Sequence, residues 1–375
     1  MIQIYPTKKQ RKILTDWRHT NRYVYNKSLA YIKNNGNNTI NFQSLRNKLV
    51  TNTVKDNDGN KIQNPLVNHW ETKTPKEIRA YSVKDVVTSF KSAFSNFKNG
   101  NITNFKLGFR KKKQTTSSFT VQKQSIKYKN NQFLIYNTFF GGDGFTIGKR
   151  TIKKLPKDFE VDKDSKIVYK QGKYYLSIPE EIDKKNPTKK VKKKETIALD
   201  PGVRTFMTGY SIEEVIECSR DRTLFTKLKK KISTLQENRK YKTIQKYYDR
   251  ISNLVDDLHW KTINYLISNY NTILLPSFEN QEMVKKSKNG KMKEALLNLK
   301  HYQFKMRLIF KSNERGNTKV FIVSEAYTSK TCGKCGTLNN NLGSSKVFKC
   351  GDCGLIMDRD YNGARNILLK HLKQN

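Results

Sequence analysis

The chain has 375 residues, room for two or three domains, and carries 74 Lys+Arg against 32 Asp+Glu, a net charge of +42. Self-repulsion on that scale disfavours a compact state unless a polyanion is met, so nucleic acid is the expected partner. The start, Met1-Ile2-Gln3-Ile4-Tyr5-Pro6, lacks the apolar run of a signal peptide, and no stretch has the ~18 apolar residues of a membrane span; a soluble, intracellular chain with no membrane partner is expected.

Residues 2–5 read as a short strand. A helix starts at Thr7, with Ile13, Leu14, Trp17, Val24, Tyr25, Leu29 and Ile32 on one face, and ends at Asn34-Asn35-Gly36-Asn37-Asn38. Residues 51–66 read as a polar loop. Thr74-Pro75 opens a second helix as cap and first helical residue. Its core stripe is Ile78, Tyr81, Val86, Phe90, Phe94 and Phe97; Lys76, Arg79, Lys84, Lys91 and Lys98 form a solvent face suited to a phosphate backbone. From about 100 to 180 the period becomes two, giving short strands at 119–121, 133–136, 145–147 and a hairpin 167–178, the pattern of a small β-barrel or sandwich. Lys106 to Lys113 place a basic cluster around Phe109, a combination fit for backbone contact and stacking, or a solvated loop. Residues 184–194 hold seven Lys and mark a domain boundary; so basic a chain also matches nuclear-localisation runs by chance.

The second half alternates strands and helices. Strand 196–199 stops on Asp200-Pro201-Gly202, and strands 206–210 and 215–218 complete a meander. Two long helices follow, one through Leu224 to Leu235 and one through Ile244 to Leu266, in which His259 and Trp260 read as packing residues. Next come strand 272–275, a helix 292–311, a strand 320–325 and a last helix 362–372. That is the element order of an RNase H fold. Cys218 reads as a buried strand residue rather than a nucleophile.

Two constellations carry chemistry. Cys332-x2-Cys335-x14-Cys350-x2-Cys353, with Gly336 and Gly354 closing each CxxC knuckle, suits tetrahedral Zn²⁺ in a closed structural site. It interrupts the last strand and last helix as a zinc ribbon. Asp200 at a strand tip and Asp360 at a helix start, with Gly363 and Ala364 letting that helix approach the sheet, pair as carboxylates of a catalytic metal site. Singly, each reads as a turn or helix cap.

The segments Ile197–Gly202, Asp358–Leu368 and the ribbon together resemble the RuvC-type nuclease of the TnpB transposon-associated proteins, compact RNA-guided relatives of the type V CRISPR effectors. Residues 4–31 resemble the TnpB start, so the likeness spans nearly the whole chain. Residues 258–283 and 324–336 are similar to Fanzor, the homologues of eukaryotes and their large viruses. The resemblance implies an α+β multidomain chain: a WED-like β-barrel over 1–10 and 100–183, a REC-like helical insertion over 11–99, a basic linker at 184–195, a RuvC-like nuclease over 196–328 and 357–375, and a zinc ribbon at 329–356. It implies a guide (omega) RNA and target double-stranded DNA as partners of a monomer. It implies two catalytic Mg²⁺ ions (Mn²⁺ as a substitute) held by Asp200, Glu325 and Asp360, with structural Zn²⁺ on the four cysteines. The location is a nucleus or viral factory for a Fanzor, and the cytoplasm for a bacterial TnpB.

One departure is visible. Where TnpB ends the strand over 272–275 on a catalytic Glu, this chain has Pro276. Glu279 and Glu282 lie beyond that strand end. The rearranged site known in Fanzors points instead to Glu325 on the neighbouring strand, at an inter-strand spacing of ~4.8 Å. Two other classes stay open: a catalytically inactive RNA-guided DNA-binding protein, and a RuvC-like nuclease needing no RNA.

Overall fold

The computed structural model describes residues 1–36, 40–56, 58–156, 158–181, 193–219, 222–277, 290–340, 343 and 345–374. Glu279, Glu282 and most of the basic linker fall outside them. The chain divides into two compact units, Met1–Glu181 and Ile182–Asn375.

In the first unit, β1 (Ile2–Tyr5) leads into the long helix α1 (Lys8–Asn35). Thr7 and Gln10 close a capping box, each side chain accepting from the other's backbone N–H, and Gly36 follows the last turn. The expected loop at 51–66 is instead a hairpin of β2 (Thr53–Lys55) and β3 (Lys61–Gln63), preceded by an unexpected helix α2 (Phe42–Leu49). Those strands are too short and polar to show a period. Helix α3 (Lys76–Lys98) begins one residue later than expected, with Pro75 in the cap position; Thr74 bonds Thr20 through its hydroxyl rather than capping.

Arg79 corrects the solvent-face reading of α3: it is 1% exposed. Its guanidinium donates to the Val50 and Thr74 carbonyls and to Asn52 Oδ1, satisfying groups left over at the end of α2. The stripe of α3 also splits. Ile78, Val83, Val86, Val87 and Phe90 are buried, whereas Phe94 and Phe97 are 40% and 50% exposed.

The remaining strands are β4 (Thr116–Val121), β5 (Ile126–Lys129), β6 (Gln132–Ile135), β7 (Phe145–Ile147), β8 (Ser165–Lys170) and β9 (Lys173–Ser177), with a single-turn helix α4 (Lys149–Ile152) between β7 and β8. They form a seven-stranded sheet in the order β4-β8-β9-β1-β7-β6-β5, antiparallel throughout. Strand β5 escaped the sequence reading because its turn is Asn130-Asn131, both at positive φ, rather than a Gly pair. Leu14 and Trp17 of α1 join the sheet's core, where Trp17 meets Phe119, Tyr136, Phe139 and Phe140 edge-on. Further along, Val24 to Ile32 pack on α2 and α3. One helix thus serves two cores.

In the second unit a five-stranded sheet runs in the order β12 (Val215–Cys218), β11 (Met207–Tyr210), β10 (Lys194–Pro201), β13 (Tyr270–Pro276), β14 (Lys319–Val323). Strands β10, β13 and β14 are parallel; β11 and β12 return antiparallel. Strand β10 reaches back into the basic run: Lys194 pairs with Glu214, and Lys193 Nζ donates to the Ile267 and Asn317 carbonyls. The parallel strands are apolar on both faces because both are covered. Against one face lie α6 (Tyr241–Asn269) and α8 (His301–Arg315), joined by α5 (Arg222–Glu237) and α7 (Gly290–Leu299). The expected single helix over 292–311 is broken at Lys300, which is left-handed at φ 50° and donates to Ser252.

On the other face α9 (Arg359–Gln374) sets Ile367 and Leu368 against Ala198 of β10 and Leu274 of β13, with Val323 of β14 beside them. The register aligns Ala198 with Leu274 and Pro276 with Val323. Among the described residues no helix is long and apolar enough to cross a membrane.

Candidate active site

Side chains alternate across a strand, so the residue two beyond a face-lining one projects on the same face. Two beyond Ala198 is Asp200, two beyond Leu274 is Pro276, and two beyond Val323 is Glu325. The tips of β10 and β13 therefore turn Asp200 and Pro276 to the α9 side, while Glu325 lies two residues past the end of β14, close enough for its charge to act on Asp200. Glu325 is not on the strand as expected: β14 ends at Val323 and the chain turns from Ala326, with Tyr327 left-handed at φ 67°.

Helix α9 brings the third carboxylate. Asp360 lies in its first turn, but the capping duty falls to Asp358, whose Oδ1 accepts from the Asp360 N–H at 2.8 Å. Gly363, one turn on, sits against Asp200: a Cβ at 363 would stand 2.5 Å from Asp200 Oδ2. The helix approaches the strand tip this closely because that position has no side chain.

Burial pushes the Asp200 carboxyl up to about 8, with the negative charges of Asp360 and Glu325 adding to the shift and Arg359 opposing it. Asp360 is also raised, by burial first and by Asp358 next, against Lys346, Arg359 and Arg204. Asp200 feels both other carboxylates, yet the three do not gather within 4.8 Å; among the described residues only the cysteines form so tight a set of potential ligands.

The four thiols of Cys332, Cys335, Cys350 and Cys353 all lie within 4.8 Å of one another, with 3.6 Å between the sulfurs of Cys332 and Cys353 and of Cys335 and Cys350. Gly336 and Gly354 are left-handed, at φ 82° and 69°, and turn each knuckle back on itself. Hydrogen bonding with Thr337 draws the Cys335 thiol down to about 6, toward the thiolate that binds a metal. Four soft donors in a tetrahedral-sized cluster fit structural Zn²⁺. Strands β15 (Val347–Lys349) and β16 (Ile356–Asp358) close the second knuckle, and β16 runs straight into α9.

The sequence reading missed Asn362 and Asn366. Asn362 accepts from the Gly333 N–H inside the first knuckle and donates to the Thr331 carbonyl; Asn366 donates to the Thr328 and Thr331 carbonyls. Both are buried. Their i, i+4 spacing was a legible sign of one shared helix face. Cys218 is half-buried at the end of β12, and burial raises its thiol.

Three family models match in succession: the HTH_OrfB_IS605 "Helix-turn-helix domain" at residues 1–39, OrfB_IS605 "Probable transposase" at 177–300, and the "Cas12f1-like, TNB domain" at 301–367. A candidate transposase of Paramecium bursaria Chlorella virus 1 is 30% identical over 387 residues, covering 99% of this chain and 86% of its own. The chain belongs to the TnpB-like family of IS605-type transposon proteins. A TnpB-like protein of Acanthamoeba polyphaga mimivirus is 26% identical over 99% of this chain and 73% of its own. A candidate RNA-guided DNA endonuclease of Escherichia coli is 24% identical over 92% and 85%. A solved Cas12f1–sgRNA–target DNA complex shares the TnpB-like fold at a TM-score of 0.52 and 15% identity, covering 96% of this chain and 83% of that one.

Proposed function

We propose that the protein is an RNA-guided DNA endonuclease of the Fanzor type, with a RuvC-like site made by Asp200, Glu325 and Asp360. Support comes from the strand order of the second unit, from viral relatives over the full chain, and from relatives named as RNA-guided endonucleases. The observation that carries the reading is the buried Asp200 carboxyl, approached closely by α9 at Gly363 and acted on by the charges of Asp360 and Glu325.

Carboxylate oxygens are hard donors suited to Mg²⁺. Bound divalent cations would supply an activated water and stabilise the leaving oxygen. Asp200, Glu325 and Asp360 would be the ligands, and Asp200 must release the proton its burial favours before it can serve. Arg359 and Arg204, whose charges act on Asp360, would oppose the phosphate's negative charge beside the site. The thiols would hold structural zinc. The seven-stranded sheet and the helices around it, read as WED-like and REC-like, would hold guide RNA and its heteroduplex by backbone and shape while base pairing supplies sequence.

The test is cleavage of a matched DNA duplex with guide RNA and Mg²⁺. Glu325→Ala should abolish cutting while RNA binding survives; activity that survives would remove Glu325 from the site. Pro276, level with Asp200 on the middle strand, favours a second reading, a guided DNA-binding protein without cutting. An unmodified protein that binds target and leaves it intact would establish that reading.

A further inference from the structure

In the first unit, α1, the stretch after Gly108 and the start of β4 enclose a cavity of ≈ 210 Å³ lined by Arg18, His19, Arg22, Arg110, Lys111 and Lys112. Two of the arginines are held before any ligand arrives. Arg18 lies over the Tyr169 ring at 3.9 Å, and Arg110 lies over Tyr25 at 3.7 Å. Asn26 clamps the backbone of Arg110 from both sides, accepting from its N–H at 2.8 Å and donating to its carbonyl at 3.0 Å.

Most of the charge there has no ion-pair partner. Asp85 pairs with Arg110 at 3.0 Å and Asp16 acts on His19, but among the described residues no ion pair reaches Arg18, Arg22, Lys111 or Lys112. Burial, then Arg18, Arg22 and Lys112, hold the His19 imidazole below its ordinary range. Donors are also unsatisfied: Arg18 Nε, Arg22 Nε and Ser117 Oγ are buried without a hydrogen-bond partner.

We infer that this cavity is a clamp for one backbone phosphate of the bound nucleic acid. Guanidinium forks and a hydroxyl match phosphate oxygens. One face of the Arg18 guanidinium is taken by Tyr169 and one face of Arg110 by Tyr25, and a phosphate contact there fixes register without reading sequence. The inference rests on the proposed nucleic-acid function and adds a defined subsite to it. The phosphate belongs either to the RNA or to the DNA strand.

The experiment compares the full-length protein with an Arg22→Gln/Lys112→Gln variant and with a Lys153→Gln/Lys154→Gln variant of equal charge, whose lysines are exposed elsewhere on the unit. Probes are the RNA that co-purifies with the protein and, on the loaded complex, a matched DNA duplex, each titrated across a salt series. The clamp variant should bind its probe roughly ten- to a hundredfold more weakly, with a log–log salt slope smaller by about 0.7 to 0.9, while the control pair changes far less. Weakening with RNA assigns the phosphate to the guide; weakening confined to the duplex assigns it to the target. Equal behaviour of the clamp and control variants overturns the clamp alone. An unmodified protein that binds neither probe overturns the nucleic-acid function and the clamp with it. Should the double variant melt early, Arg22→Lys keeps the charge and loses the fork; it should still weaken binding severalfold, and unchanged affinity overturns the clamp.

Discussion

Two single residues set constraints that chemistry can read out. Gly363 is required by the distance to Asp200, not by its backbone angle. Gly363→Ala must displace either the helix or the carboxylate, and should lower cleavage by more than about a hundredfold at a stability cost of about 1–3 kcal/mol. Near-normal cutting would show that Asp200 tolerates the shift. His259 is a second case. It is fully buried, with Phe206 stacked at 5.0 Å. Arg307 can only donate, so His259 Nδ1 must accept from it at 3.1 Å and Nε2–H must donate to the Leu299 carbonyl at 2.9 Å. Burial is the main cause that lowers the imidazole to about 4, with the Arg307 charge adding to it and the Leu299 bond opposing. The folded state therefore binds fewer protons than the unfolded chain between about pH 4 and 6.5. Stability present above pH 6.5 should fall through that window, by an order of 2–3 kcal/mol. His259→Gln, which can still donate and accept, should flatten the acid side of a Tm–pH profile; an unchanged profile would show that His259 does not titrate there. The sequence reading of His259 as a packing residue had the burial right and lacked only its polar partners.

At the scale of elements, the cysteine cluster and helix α9 act as one piece. Strand β16 feeds directly into the helix, and Asn362 and Asn366 tie its first two turns to Gly333, Thr331 and Thr328. Asn366→Ala should cost about 1–3 kcal/mol by removing the donor to the buried Thr328 carbonyl and leaving Thr331 to Asn362 alone, and should reduce cleavage while zinc stays bound, as native mass spectrometry would show. Cys350→Ser should go further, losing the metal and the order of α9, visible as lost helical signal and raised amide exchange over residues 359–374. Retention of both would mean that α9 is held by Ala198 and Leu274 alone. The CxxC spacing made the ribbon legible because thiolate ligands come in close sequence pairs. The strand end at Val323 was not legible, because Ser324-Glu325 carries no Gly or Pro to mark a stop, while the turn is closed by Thr328, whose N–H and hydroxyl both donate to the Glu325 carbonyl.

For the whole molecule, the net charge of +42 is the broadest statement. Affinity for the co-purifying RNA should fall steeply and linearly on a log–log salt plot, through counterion release. A shallow slope would leave the charge to some other partner. The charge does not act as an even coat. Arg79 is sealed inside the first unit on carbonyls, Lys193 and Lys194 stitch the second unit's sheet, and Arg18 and Arg22 line a cavity with donors to spare.

What the sequence determined by itself follows from local rules. Period-two and period-3.6 patterns named most strands and helices, Thr7 marked a helix start, and four paired cysteines announced a metal knuckle. The motifs around Asp200 and Asp360 pointed to the TnpB-like family before any coordinate was needed. Tertiary structure alone decided which tips meet. Parallel register, a property of pairing between segments more than forty residues apart, sets Asp200, Pro276 and Val323 level and puts Glu325 two residues beyond. Packing decided that Arg79 turns inward, that Gly363 must be bare, and that Asn362 and Asn366 reach the ribbon. Each depends on atoms from distant parts of the chain arriving within a few ångströms, and no local window of sequence contains them.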